Sequence, residues 1–369
     1  MKNRVIAFFF LTILVSFLTA SLLLRPRQYS AMENRYLKQA PKLTLSSIKD
    51  GTYMDEVEEY MADQIAGKDL FIVAKTTMEK WMNKKESGGV YFGKNGRYIK
   101  KYEPDEETLQ KNIQFVDAFA KEIRGQTRVT FLLAPNVQSI YPEELPSHVV
   151  MPSAKKDREK VENGIKNAKL VDPTSLLTAH KEEYIYFKTD HHWTMRGAYY
   201  GYKALLKAWN ETPHPLSFYE ESSKSDSFLG SLYSKAPLSI KKKDSIEVFT
   251  NLFGAYRVTF EDGSHINSLF VPSRLYTKDK YTYFLDGNHP FLTIRSNAGT
   301  GKKALVLKDS YSHALLPFLA DHYDTIEVCD LRYYKEDLKK KIKDEGYDDV
   351  ILLYNMDFFS TDDNFIWLK

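Results

Sequence analysis

The 369-residue chain holds a single cysteine, Cys329, which excludes an internal disulfide. That residue lies in the apolar stretch Ile326-Glu327-Val328-Cys329, where a small buried side chain is expected rather than a reactive thiol. Internal repeats and low-complexity tracts are missing, and so is a second apolar run long enough to cross a membrane. No His and Cys residues stand at familiar metal-ligand spacing, so neither a metal nor another cofactor is expected. An excess of one charge is lacking too. Lys and Arg number 52 against 49 Asp and Glu, and Lys2, Arg4, Arg25 and Arg27 flank the N-terminal apolar run. The remainder is close to neutral, which gives no global case for a nucleic-acid partner.

What is present reads as a folded globular protein: 43% of residues are hydrophobic and 27% charged. The length suits one large or two ordinary domains. Tyr and Phe number 25 and 22, for which a large aromatic core is the first expectation and a sugar-stacking surface the second. The run Val5 to Leu24 is free of charge and long enough to span a bilayer as a helix. Arg25 and Arg27 follow at once with no clear small-residue cleavage site, so residues 1–27 are read as a signal anchor. The cytoplasmic end is then the N-terminus, and residues 28–369 form one extracytoplasmic body. A secreted product after signal cleavage is the alternative.

Within that body, helical periodicity covers Ile48 to Trp81 and Glu106 to Ile123. Val90 to Ile99 reads as strand, Asn-Gly turn, strand. A buried strand at Val129 to Ala134 ends in Pro135-Asn136, and a polar helix is expected around Lys155 to Asn167. Residues 213–300 differ: rich in Ser, Lys and aromatics, with alternating runs at Ser245–Phe249 and Tyr281–Leu285, they read as an insertion with β-character. Then Ala304–Leu307, Thr325–Val328 and Val350–Tyr354 are strand-like, separated by helical stretches at Ser312–Ala320 and Tyr334–Lys343. This spacing predicts an α/β fold, a parallel sheet flanked by helices.

Tyr186-Phe187-Lys188-Thr189-Asp190-His191-His192-Trp193-Thr194 is the densest chemistry in the chain. Asp190 and His192 are two apart, so the carboxylate can accept Nδ1–H of the imidazole and leave Nε2 free as a base. On extended backbone His191 would face the other way. Thr194 is placed to cap a helix whose apolar face is Ala198, Tyr202, Leu205, Leu206 and Trp209. Ser310 follows a predicted strand and opens a helix, where its N–H and the helix end would face an oxyanion. Alone, the histidine motif would be a solvated surface loop and Ser310 a helix cap. Together they make a candidate nucleophile, base and orienting acid.

Thr189–Thr194, with Lys308-Asp309-Ser310-Tyr311 downstream, resembles the DHHW family of SGNH-hydrolase-like proteins and the alginate O-acetylation proteins AlgJ and AlgX. Glu33-Asn34-Arg35-Tyr36-Leu37, Asp63-Gln64, Gly287-Asn288 and Asp330-Leu331-Arg332-Tyr333 are similar to family landmarks. The resemblance implies an SGNH-like fold in circularly permuted motif order, with Ser310 as nucleophile, His192 as base and Asp190 as acid. It implies O-acetyl transfer to a cell-envelope or secreted polysaccharide, with a membrane-bound O-acyltransferase supplying acetyl. Acetylester hydrolysis, or a non-catalytic scaffold binding polysaccharide or acyltransferase, is the alternative.

For the second oxyanion donor, Gly287-Asn288 is preferred over Asn136 and Asn355. Trp193, Tyr199 and Tyr311 are candidates to stack on a sugar, with packing expected for at least two. A metal held by Asp190, His191 and His192 with His313 or His322 is a further alternative.

Overall fold

The computed structural model describes residues 2–238 and 242–369. These fall into two compact units, residues 2–88 with 233–238, and residues 89–232 with 242–369.

The first unit carries helix α1, Lys2–Leu23, of which Asn3–Leu23 is long and apolar enough to cross a membrane. Two further helices span Thr52–Gln64 and Lys68–Trp81. Asp63 knits the unit together. Its carboxylate accepts from the Arg35 guanidinium, from Lys68 Nζ at 2.8 Å and from the Lys38 N–H at 2.8 Å. The Arg35 hydrogen bond is the strongest influence holding this carboxyl well below its ordinary range. Gln64 ties the same region to the chain after α1, accepting from the Arg27 N–H and donating to the Arg27 carbonyl.

The second unit is built on an eight-stranded sheet. In chain order its strands are β1 (Arg128–Ala134), β2 (Lys169–Val171), β3 (Tyr256–Phe260), β4 (His265–Ile266), β5 (Phe291–Ser296), β6 (Lys303–Lys308), β7 (Thr325–Cys329) and β8 (Asp349–Asn355). Their spatial order is β4-β3-β5-β7-β6-β8-β1-β2. The five from β7 to β2 are mutually parallel, and β5, β3 and β4 extend the β7 edge antiparallel. Four helices matter here: α2 (Glu106–Ile123), α3 (Met195–Ala208), α4 (Ser312–Leu319) and α5 (Leu338–Glu345).

Period-two alternation sends Val129, Phe131 and Leu133 of β1 to one face, where α2 and α5 cover them. Leu132 and Ala134 go to the other face, with Val306, Ile351 and the helices α3 and α4. Burial on both faces is why the parallel strands read as continuous apolar runs. Asp105 caps α2, accepting from the Thr108 N–H, and Thr194 caps α3 through the Gly197 N–H. The crossover from β1 to β2 runs one way along the sheet and that from β6 to β7 the other. Strand ends near such a reversal form the usual crevice of open α/β sheets.

Residues 213–300 hold a two-stranded antiparallel ribbon, Glu220–Phe228 with Asp244–Thr250, and then supply β3, β4 and β5 to the main sheet. Tyr281–Leu285 is not a strand as its alternation predicts. Lys280–Tyr283 is a 3-10 turn, and the chain reverses through positive φ at Leu285 (56°), Asp286 (63°) and Gly287 (87°). The aromatic residues there are buried by the turn rather than by sheet pairing. Helix α5 also starts later than the pattern suggests. The Asp330 carbonyl accepts from the Tyr333 and Tyr334 N–H groups, holding that stretch as a turn, and Asp337 caps the helix.

Candidate active site

Tyr186 and Trp193 pair across a tight loop, with the Phe187 N–H bonded to the His192 carbonyl. Asp190 and His191 stand at its tip. Asp244 braces this loop from the 213–300 segment, accepting from the backbone N–H groups of Lys188 and Thr189 and from the Tyr184 hydroxyl. Because the backbone turns here instead of extending, His191 does not point away from His192. The two rings lie against each other, centroids 3.8 Å apart, and His191 Nδ1 is 2.8 Å from Ser231 Oγ.

His192 Nδ1 is 2.6 Å from Asp190 Oδ1 and His192 Nε2 is 2.7 Å from Ser310 Oγ. An ionised carboxylate only accepts, so the imidazole proton sits on Nδ1 and Nε2 accepts the serine O–H. The His192 N–H donates to Asp190 Oδ1 at 3.0 Å, and the Ser231 N–H donates to Oδ2 at 2.7 Å. Burial alone would raise the Asp190 carboxyl. The neighbouring His191 and His192, with the Ser231 N–H, outweigh it and hold the group well below its ordinary value. The array can therefore deprotonate a serine while its acid stays charged.

Gly230 makes the Ser231 contact possible. A Cβ there would fall 2.3 Å from Asp190 Cβ and 2.5 Å from its Oδ2, so only glycine admits this approach. On the other side Tyr281 is stacked flat on His192, and its hydroxyl donates to the Ser310 carbonyl at 3.1 Å. Neither residue carries a motif. Each comes from the segment 213–300, and only its folding beside the loop reveals it.

Ser310 does not cap α4. The N-cap is Tyr311, with no side-chain cap bond, and the serine hydroxyl faces His192. The Tyr311 N–H donates to Asp309 Oδ1 and the Ser312 N–H to the Asp309 carbonyl. Among the described residues no hydrogen-bond partner is recorded for the Ser310 N–H, which leaves it for an oxyanion. Burial raises the fully enclosed Asp309 carboxyl.

The candidate second donors separate clearly. Asn136 is excluded: it is buried, its amide N–H donates to Asp357 and its oxygen accepts from Ser139, and it lines no part of the cavity. The Asn355 side-chain amide and backbone N–H both donate to Asp309 Oδ2. The Gly287 N–H does not point inward but donates to the Phe284 carbonyl at 3.2 Å. Asn288 is different. Its Oδ1 accepts from Lys308 Nζ and Arg332 Nη2, each at 3.1 Å. A guanidinium can only donate, so the amide orientation is set and the Asn288 NH₂ is turned away from both cations. Lys308 and Arg332 share the buried Asp330 carboxylate. Burial lowers the Lys308 ammonium, and Asp330 opposes that shift.

The stacking candidates lie elsewhere. Trp193 is fully buried and its indole N–H donates to the Tyr311 carbonyl at 2.9 Å. Tyr311 is buried with its hydroxyl bonded to the His191 carbonyl, and Tyr199 is buried with its hydroxyl on the His214 carbonyl. All three are packing groups: Trp193 and Tyr311 hold the loop onto α3 and α4, and Tyr199 packs α3 against Phe318 of α4.

Around the Ser310 hydroxyl lies a cavity of about 300 Å³, also lined by Lys100, Asp279, Thr282, Phe358 and Thr361. The donor atoms of Asp190, His191 and His192 lie within 4.8 Å of one another. Yet Nδ1 of His192 bonds Asp190 directly, with no room for an ion between, and its Nε2 faces Ser310. His313 Nε2 faces Lys308, and His322 Nε2 is paired with the Tyr202 hydroxyl. This donor set does not fit a metal centre.

The chain is similar to several solved structures. A DHHW family protein from Eubacterium siraeum is 24% identical, with a TM-score of 0.67 over 77% of this chain and 95% of that one. Bacillus cereus PatB1 with a sulfonyl adduct is 20% identical, with a TM-score of 0.64 over 74% and 97%. The O-acetyltransferase domain of Pseudomonas putida AlgJ is 16% identical, with a TM-score of 0.49 over 74% and 93%. No curated protein matches the sequence. The family model described as DHHW protein matches residues 110–329, more than half the chain, and the protein belongs to the DHHW family.

Proposed function

We propose that the protein is an O-acetyltransferase acting on hydroxyls of a cell-envelope or secreted polysaccharide. The observation that carries this reading is the single imidazole of His192 bridging Asp190 and Ser310 at hydrogen-bond distance on both sides. Family membership and the motif resemblance supply the acetyl and polysaccharide parts.

In the first half-reaction Ser310 Oγ gives its proton to His192 Nε2 and bonds to the carbonyl carbon of an acetyl ester. The carbonyl oxygen takes the electron pair and is met by the Ser310 N–H and the Asn288 amide. Collapse breaks the ester C–O bond, and the leaving oxygen takes the proton from His192. In the second half-reaction a sugar hydroxyl loses its proton to the same nitrogen and attacks the acetyl-serine. The new ester leaves, and the proton returns to Ser310. Asp190 stays ionised throughout and steadies the imidazolium. A membrane-bound O-acyltransferase is the proposed acetyl supplier, and α1 the proposed anchor, with the body outside the cytoplasmic membrane.

PatB1 is known as a sulfonyl adduct. The full chain in detergent should likewise react with a sulfonyl fluoride, and peptide mass spectrometry should place the adduct on Ser310. With an activated acetyl ester, acetyl should appear on the same peptide and acetate should be released slowly. Ser310→Ala should lose all three signals while remaining folded. Wild-type acetyl transfer by that variant would overturn the mechanism.

A further inference from the structure

The helix Lys68–Trp81 leaves an apolar stripe uncovered. Leu70, Phe71, Met78 and Trp81 are exposed large apolar side chains, Trp81 to 85%, and Met82 continues the line. At 100° per residue these five and Ala74 fall within an arc of roughly 120°, so they form one face rather than scattered exposure. The opposite side carries the buried Thr76 and the partly covered Ile72, Val73 and Glu79. Exposed Lys75 borders the stripe on one edge and exposed Thr77 on the other.

The start of this helix is fixed to the last turns of α1. The Ala66 N–H donates to Ser21 Oγ at 3.0 Å, Phe17 and Phe71 rings meet at 5.3 Å, and Arg27 pairs with Asp69 at 2.9 Å. Phe17 lies six residues before the end of α1, which is roughly 9 Å at the helical rise. That depth agrees with the ~5–10 Å to which amphipathic helices sink their apolar faces into a bilayer interface. Trp81 at one end and Lys75 at one edge suit the headgroup level.

We infer that Lys68–Trp81 is an interfacial helix whose stripe seats in the outer leaflet beside α1. The inference rests on the reading of α1 as a retained anchor. In water the stripe has no occupant, whereas beside a membrane-spanning helix the acyl-chain boundary is the apolar phase within reach. Seating it would give the anchored body a second attachment, restricting its tilt about α1.

Spin labels on single cysteines test this in the full chain reconstituted into phosphatidylcholine–phosphatidylglycerol vesicles. Cys329→Ala removes the native thiol, and Leu70→Cys, Met78→Cys and Trp81→Cys sample the stripe. Val15→Cys samples the span and Asp262→Cys, on an exposed turn, samples water. Collisional relaxation should show the stripe labels losing access to a water-soluble nickel chelate and gaining access to oxygen, as at Val15. Stripe labels as wet as Asp262, with Val15 shielded, would overturn the interfacial helix while leaving the anchor standing. Shielding of the stripe only on adding a membrane acyltransferase would overturn it in favour of a protein partner. A wet Val15 would overturn the anchor, and this inference with it.

Discussion

Tyr281 lies flat against His192, ring centroids 3.8 Å apart and planes 8° apart. This contact blocks one face of the imidazole, while His191 crowds against the ring at the same centroid distance. Rotation of His192 away from Ser310 is therefore sterically opposed. Tyr281→Phe keeps the ring and should retain most activity. Tyr281→Ala should lower kcat more than it raises KM, because it frees the base without touching the oxyanion donors. Equal kinetics for the two variants would show that stacking does not position the base.

His192→Ala should abolish acetyl turnover, since no other imidazole nitrogen lies within hydrogen-bond reach of Ser310 among the described residues. His191→Ala should retain a sizeable fraction, because His191 contacts Ser231 and Asp190 rather than Ser310. Steady-state kinetics on an activated acetyl ester separates the two.

Gly230→Ala would drive a methyl group into Asp190. On the proposed mechanism, displacing this carboxylate by about 1 Å should cost about 10²-fold in kcat/KM, as misplaced catalytic groups do. Circular dichroism should show an intact fold, since the clash, which reaches the Asp190 Cα at 2.8 Å, is confined to one residue of the loop.

Asn288→Ala removes the proposed oxyanion donor and should cost about 10²–10³ in kcat with little change in KM. A change confined to KM would assign Asn288 to substrate binding instead.

His322 gives a pH signature away from the site. Burial, helped by nearby His214, lowers its pKa from 6.5 to about 4. Between these values the unfolded chain binds the proton and the folded chain does not, so stability rises with pH. Thermal denaturation should show full stability from this group above pH 6.5 and progressive loss down to about pH 4. His322→Gln should flatten that slope.

The parts legible in the sequence were those whose signal is local. Asp190-x-His192 and a serine between strand and helix need only a few neighbouring residues to be recognised, and alternating apolar runs announce strands buried on both faces. Contacts that complete the site are long-range. Nothing near Gly230 says that Asp190 will approach it from 40 positions away. Its place beside the motif made Trp193 a candidate to stack on a sugar, yet the depth of the crevice turns it into core. Gly287 looked like an inward donor until the turn took its N–H for Phe284. Where backbone curvature decides facing, as at His191, a strand-based rule chose the wrong side.

Strand β8 lies between β6 and β1, hydrogen-bonded to both, and its end holds Asp309 next to Ser310. It also comes after the Asp190–His192 loop and after β6 and β7 in chain order. A chain emerging from the ribosome presents Asp190 and His192 long before β8 can wedge between its neighbours. Until then β6 has no partner on that side and Ser310 no fixed address. If Ser310 is the nucleophile proposed above, a product cut short before β8 would hold that hydroxyl without its neighbours and stay chemically silent.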